Sequence, residues 1–319
     1  MSVIPFSDEA QGIWQIDADY VDQGLACVYL LSQGDRLALV ETGTNHTVPH
    51  ILARIEQLGL TPEHLDYIIL THIHLDHAAG AGALMQLCPN AQLIVHPRGV
   101  RHMAEPAKLQ AGTVAVYGEE QYQALYGELI AVDATRITEA DDGFELDFNG
   151  RRLSFIDTPG HALHHVCIYD ELSGGVFTGD TFGLSYRQLD SEAGNFLFVT
   201  TTPVHFDPQA MKTSIERILA FEPQWIYLTH YGRIRPSESN VKQLLDSLQA
   251  HVDIALAEKD QPEGRQQRLS AAVLEWLVAA WQAQNPDADA TAARDFLKLD
   301  AGLNAQGLEV WLARMESQG

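Results

Sequence analysis

Four side chains able to hold a metal ion fall within six residues of this chain: His72, His74, Asp76 and His77, in the stretch Thr71-His72-Ile73-His74-Leu75-Asp76-His77. The pattern H-x-H-x-D-H follows directly on an apolar run, Tyr67-Ile68-Ile69-Leu70. A strand would alternate these side chains between two faces, and a helix would spread them round a cylinder. An irregular turn at a strand end can aim all four into one cavity. Imidazole and carboxylate without thiolate suit zinc, iron or manganese. Three more candidates stand further along, each behind a predicted strand. His161 follows Asp157-Thr158-Pro159-Gly160, Asp180 follows Phe177-Thr178-Gly179, and His230 follows Ile226-Tyr227-Leu228-Thr229. Strand ends on one edge of a sheet structure converge, which is how a rigid scaffold gathers residues distant in sequence. Two metals need roughly six or seven donors between them, and these residues supply seven.

The elements that must position them are legible as periodicities. Ile13–Asp17, Leu25–Leu31 and Arg36–Glu41 are short apolar runs parted by Gly24 and Gln33-Gly34-Asp35, and predict strands. Val48, Ile51, Leu52, Ile55 and Leu58 recur at helical spacing, with Gly59 as a stop. Gly80–Leu87 predicts a helix, Gln92–Val95 a strand, and Pro97–Met103 a helix opened by proline. Residues 104–131 are less regular, and Tyr117, Tyr122 and Tyr126 in them are read as packing against the core. Asn149-Gly150 predicts a hairpin between strands at Gly143–Phe148 and Arg151–Asp157. Further strands are predicted at Val166–Tyr169, Gly175–Thr178 and Gln224–Leu228, with a helix opened by Asp207-Pro208. From Pro236 onward only helical patterns remain. One carries Val241, Leu244, Leu245, Leu248 and Val252, another Leu269, Val273, Leu277 and Trp281, and one or two shorter helices lie near Phe296 and Trp311. A boundary near residue 236 therefore separates residues 1–235 from an all-helical extension, 236–319.

The order and spacing of these motifs resemble the metallo-β-lactamase fold superfamily over roughly the first three quarters of the chain. Thr71-His72-Ile73-His74-Leu75-Asp76-His77, His96-Pro97-Arg98-Gly99 and Thr158-Pro159-Gly160-His161-Ala162-Leu163-His164-His165 resemble its glyoxalase II-like and little-characterised bacterial and archaeal members. The resemblance implies an α/β fold, an αββα sandwich with the site at one edge of two sheets. It implies two divalent metal ions, zinc first, with iron or manganese next. His72, His74 and His161 would hold one, Asp76, His77 and His230 the other, and Asp180 would bridge them. The family's usual Asp-Thr-Gly is here Glu41-Thr42-Gly43, a longer carboxylate placed to support the ligands from behind.

Composition bounds the substrate. The chain has 43 acidic residues against 20 basic ones, a net charge of −23, and shows no cluster of Lys and Arg in sequence. Such a surface repels nucleic acid and anionic membranes, and no apolar run is long enough to span a bilayer. A small-molecule substrate is expected, with no nucleic-acid or membrane partner. The start, Met1-Ser2-Val3-Ile4-Pro5-Phe6, lacks a signal-peptide pattern, and Cys27, Cys88 and Cys167 are three scattered thiols. Both point to the cytoplasm. Leu308, Val310, Trp311 and Leu312 are read as sealing the extension or joining two subunits of a homodimer.

Two close divalent metals lower the pKa of a shared water towards neutrality. The expected reaction is hydrolysis of a small thioester, ester or lactone, as in the resembling glyoxalase II enzymes. Asp180 would hold the metal pair, and Asp76 would orient the nucleophile or carry its proton. Diiron oxygen or redox chemistry and phosphodiester hydrolysis are the alternatives. Glu41 and His165 are candidates to support the ligands, and Tyr186, Arg187, Tyr231 and Arg233 are candidates for substrate contact. His164, His96, His102 and His205 are read as structural.

Overall fold

The computed structural model describes residues 7–318 apart from residue 9; the start of the chain and the side chain of Tyr117 lie outside the described residues. The strands, in chain order, are β1 (Ser7–Asp8), β2 (Ile13–Asp17), β3 (Cys27–Gln33), β4 (Arg36–Val40), β5 (Leu65–Ile69), β6 (Gln92–Val95), β7 (Ile137–Glu139), β8 (Glu145–Phe148), β9 (Arg151–Asp157), β10 (Val166–Asp170), β11 (Gly175–Gly179), β12 (Trp225–Leu228) and β13 (Gly232–Ile234). The helices are α1 (Val48–Gln57), α2 (Leu75–Ala78), α3 (Ala81–Leu87), α4 (Pro97–Ala104), α5 (Ala107–Tyr117), α6 (Glu119–Tyr126), α7 (Pro208–Leu219), α8 (Glu238–Glu258), α9 (Arg265–Gln284) and α10 (Thr291–Gln318).

β1 to β7 form one sheet in sequence order, antiparallel as far as β4 and parallel from β4 to β7. The second sheet runs β13-β12-β11-β10-β9-β8, and its one parallel pair is β11 with β12. Tyr29, Val40 and Ile69 of the first sheet share a core with Phe155, Ile168 and Phe177 of the second. Burying each such side chain contributes roughly 1.5–3 kcal/mol. The first sheet's outer face packs on α1, α3 and α4 through Ile51, Leu84 and Met103. α7, α8, α9 and α10 join the core of the second sheet through Ile215, Leu244, Leu277 and Leu308. The result is the α/β sandwich, helix-sheet-sheet-helix, with an all-helical C-terminal extension. Arg151 ties the sheets together from β9. Its guanidinium donates to both carboxylate oxygens of Asp170 at 2.9 and 2.5 Å and to the carbonyl of Ser32 in β3 at 3.2 Å.

Several elements differ from expectation, among them the short strands β1 and β13 and the helical turn α2, which no sequence pattern announced. The irregular stretch after residue 104 contains α5 and α6, short helices whose Tyr122 and Tyr126 are buried. The short strand β7 pairs with β6 in parallel. The helices around Phe296 and Trp311 are one, α10, of 28 residues. Two glycines, Gly302 and Gly307, lie inside it, and the second serves close packing. A Cβ on Gly307 would lie 1.4 Å from the carbonyl oxygen of Thr201, so the helix passes directly over that loop. The Asn149-Gly150 hairpin is as expected, with both residues at the positive φ, 52° and 87°, that its tight turn requires.

Candidate metal centre

The strand ends converge as a sandwich dictates. β4 and β5 run parallel, so Glu41 and Thr71-His72 emerge on the same side. β11 and β12 run parallel, so Asp180 and His230 do the same in the other sheet. His161 follows β9, and His165 precedes β10, the antiparallel neighbour of β9. His72 and His74 lie in the irregular turn behind β5. Asp76 and His77 then sit on α2, a single helical turn capped by the backbone of His74.

His74 Nδ1 lies 3.0 Å from His72 Nε2 and 2.9 Å from His161 Nε2. His77 Nε2 and His230 Nε2 lie 3.6 and 3.3 Å from Asp76 Oδ2. Both triads bring their ligand atoms within 4.8 Å of one another. Asp180 stands between them, with Oδ2 3.4 Å from His161 Nε2 and Oδ1 3.3 Å from His77 Nε2. The seven residues predicted from sequence thus meet at one place.

This donor set fits two cations. Tetrahedral ligands at about 2.0–2.2 Å from an ion lie a little over 3 Å apart, close to the separations seen. His77 Nε2 and Asp180 Oδ1 are buried without a hydrogen-bond partner, which is costly unless something else satisfies them. Burial, then neighbouring histidines, holds His72 well below the ordinary imidazole range and pushes His74 down to about 3, so both keep a free lone pair. Burial opposes charge on His77 too, yet Asp76, Asp180 and Glu41 push it well up. Three carboxylates around one imidazole make a place that attracts positive charge.

The supporting groups are equally specific. Glu41 Oε1 accepts from His77 Nδ1 at 3.0 Å, from Thr71 Oγ1 at 2.5 Å and from Thr229 Oγ1 at 3.3 Å. Glu41 Oε2 accepts from the Thr71 amide at 3.3 Å. His230 Nδ1 lies 2.6 Å from the carbonyl of Leu25. His165 stands behind Asp180, its Nε2 accepting from the Asp180 amide at 3.3 Å while Nδ1 lies 2.8 Å from Thr158 Oγ1. Gly179 has φ +47°, and a Cβ there would lie 2.4 Å from Thr71 Oγ1 and 2.6 Å from His165 Nε2. Sequence reasoning did not single out Thr71, Thr158 or Thr229. Their position one residue before, or three before, a predicted ligand is the signal that could have found them.

The four candidates for substrate contact have partners within the protein. Tyr186, buried against Phe296, donates to Asp300 Oδ1 at 3.0 Å. Arg187 donates to the Ser185 carbonyl at 2.6 Å and pairs with Asp190. Tyr231 is buried and donates to Asp17 Oδ2 at 3.0 Å. Arg233 pairs with Asp8 and lies over the ring of Trp225. Asp300, from α10, is a residue that sequence offered no reason to choose. Burial raises its carboxyl to about 6, and His230 is among the groups that oppose the rise.

Residues 22–230, which contain all seven converging side chains, match the family model of the metallo-beta-lactamase superfamily. The chain belongs to that superfamily. The metallo-beta-lactamase fold-containing protein ST1585 of Sulfurisphaera tokodaii is 28% identical over 253 residues, 76% of this chain and 89% of its own length. The crystal structure of the archaeal superfamily protein ST1585 superposes with a TM-score of 0.63 over 93% of this chain and 98% of that one, at 23% identity. The family protein TTHA1429 of Thermus thermophilus superposes with a TM-score of 0.62 over 96% and 94% of the two chains, at 21% identity. These two structures show the shared fold. A hydroxyacylglutathione hydrolase of Aeromonas hydrophila is 26% identical over 206 residues, which span 64% of this chain and 60% of that enzyme. The superfamily consists mostly of hydrolases, and its fold generally binds divalent metals. Among the described residues no helix is long and apolar enough to cross a membrane.

Proposed function

We propose that this protein is a hydrolase of small thioesters, carboxylic esters or lactones, working with two divalent metal ions held by His72, His74 and His161 and by Asp76, His77 and His230, with Asp180 shared between them. The observation that carries the reading is the meeting of two complete donor triads on either side of one carboxylate. The similarity to a hydroxyacylglutathione hydrolase supports thioester chemistry. When bound, the ions would supply Lewis acidity and a water acidic enough to attack a carbonyl carbon near neutral pH.

The chain's own residues do the rest. Asp180 fixes the spacing of the two triads through its two oxygens. Burial alone would raise the carboxyls of Asp76 and Asp180, but His77 and His230 hold both below the usual carboxylate range. Both are therefore anionic ligands at neutral pH. Asp76 is the more exposed of the two, at 21% against 7%. With Oδ2 turned to His77 and His230, its other oxygen, Oδ1, would accept the proton released by the attacking water and return it to the departing thiol or alcohol as the carbonyl–sulfur or carbonyl–oxygen bond breaks.

The test is turnover of thioesters, lactones and phosphodiesters by zinc-, iron- and manganese-loaded protein. Thioester or lactone hydrolysis that falls at least a hundredfold in Asp76→Asn is the expected result. Oxygen uptake by the iron form with no hydrolysis by any form would overturn the reading.

A further inference from the structure

In sequence no basic cluster is visible, yet the fold builds one beside the first triad. His164 lies with its ring 5.6 Å from that of His74 and 6.2 Å from that of His72. The next ring outward is His205, 6.2 Å from His164. One arginine stands beside His205, and a second lies on α4, which packs on the turn that carries the first ligands. Arg314, on α10, donates to the carbonyl of Phe206, the residue after His205. Arg98 is the second residue of α4, and the next, Gly99, packs directly on Ile73 between the first two ligands. His205 is held below its ordinary value first by burial and then by the charges of Arg314 and Arg98, which agrees with this placement.

The chain has 43 acidic residues and 20 basic ones, so an arginine without a carboxylate partner is available to an anion. Among the described residues neither has a carboxylate within ion-pair distance, a property shared with Arg54, Arg136 and Arg235, whereas Arg151, Arg217, Arg265 and Arg294 are paired. The Nε of Arg314 is buried and has no hydrogen-bond partner. Leu163 and Val204 expose apolar side chains, at 38% and 54%, next to His164 and His205.

We propose that Arg98, Arg314 and His205 form a subsite for an anionic group, carboxylate or phosphate, on the substrate, with Leu163 and Val204 bordering its apolar part. The inference deepens the hydrolase reading and rests on it for the word substrate. It assigns the substrate as an anionic thioester, ester or lactone whose charge lies beyond His164, on the His72, His74 and His161 side of the centre. Arginine's fixed fork of donors suits either anion.

The test uses the zinc-loaded full chain and two readouts. Calorimetric titration with succinate and, separately, with inorganic phosphate distinguishes the two anions. Wild type is compared with Arg98→Gln, Arg314→Gln and Arg294→Gln, the last removing a cation paired with Glu275 on the extension. Affinity for at least one anion is expected to fall by roughly tenfold or more in the first two variants and to stay unchanged in the third. The second readout is the ratio of kcat/KM for matched thioesters ending in a carboxylate, a phosphate or a methyl ester. That ratio is expected to favour one anionic probe and to collapse in Arg98→Gln, whose exposed side chain holds no other element in place. Equal anion affinity in all four proteins overturns the subsite. Loss of anion affinity in the variants without thioester turnover in any protein keeps the subsite and overturns the hydrolase reading instead.

Discussion

Replacing Glu41 by Gln tests how the centre is held. The carboxylate accepts from four donors, and three of them, the His77 ring, Thr71 Oγ1 and Thr229 Oγ1, share Oε1. A glutamine can keep those three on its carbonyl oxygen, but its amide nitrogen then faces the Thr71 N–H, donor against donor. The hydrogen bond from His77 also changes from one to a charged acceptor to one to a neutral acceptor. Bonds to charged groups contribute about 1.5–3 kcal/mol and neutral ones about 0.5–1.5 kcal/mol, so roughly 1–2 kcal/mol is lost at His77 alone. Removing such support behind a ligand typically weakens metal affinity by about 10–100-fold, which is of the same size. The prediction is a loss in that range confined to the ion beside Asp76, His77 and His230. Glu41→Asp is expected to lose at least as much, because a side chain one methylene shorter cannot reach the His77 ring and the Thr71 amide together. The assay is competition with a chromophoric chelator, with the unfolding temperature as a check on the fold. Wild-type affinity for both ions in folded Glu41→Gln would refute the reasoning.

Two further predictions concern the extension. Burial pushes His251 down to about 4, against about 6.5 in an unfolded chain. Below pH 6.5 the unfolded state therefore holds a proton that the folded state lacks, and stability falls on acidification until about pH 4, by up to roughly 3 kcal/mol from this group; metal-free His251→Asn should show a smaller loss between pH 7 and 4.5 in denaturant unfolding, and an equal loss would contradict the assignment. Gly307→Ala places a methyl against the backbone of Thr201 and should cost at least about 1–3 kcal/mol. At Gly302 a Cβ meets nothing within 4 Å, so Gly302→Ala should gain about 0.5–1 kcal/mol; calorimetric unfolding temperatures that fail to separate the two variants would count against the close packing of α10.

The sandwich was legible because its strands are short apolar runs with clear turn signals, and because each converging residue stands just behind such a run. His72, His161, Asp180 and His230 needed only the rule that parallel neighbours end on one side. Less was legible where packing overrides local pattern. α5 has little amphipathic character, so its periodicity gives no signal. Gly307 lets α10 touch the loop at Thr201, a contact that no local pattern announces. The environment of the site was the least visible part. Arg98, His205 and Arg314 come from three separate segments, and nothing local links them. Asp300 reaches Tyr186 only because α10 folds back over the loop after Asp180. Tyr186, Arg187, Tyr231 and Arg233 looked free in sequence, where the partners Asp300, Asp190, Asp17 and Asp8 cannot be inferred.

The proposed sharing of Asp180 by two ions underlies every step of the chemistry described above. Anomalous diffraction at the zinc edge from crystals of the zinc-loaded protein tests it most directly. The account predicts two peaks, one within about 2.0–2.2 Å of His72 Nε2, His74 Nδ1 and His161 Nε2, the other as close to Asp76, His77 Nε2 and His230 Nε2, with one Asp180 oxygen on each. A single peak, or a pair with Asp180 bound to neither, would contradict it.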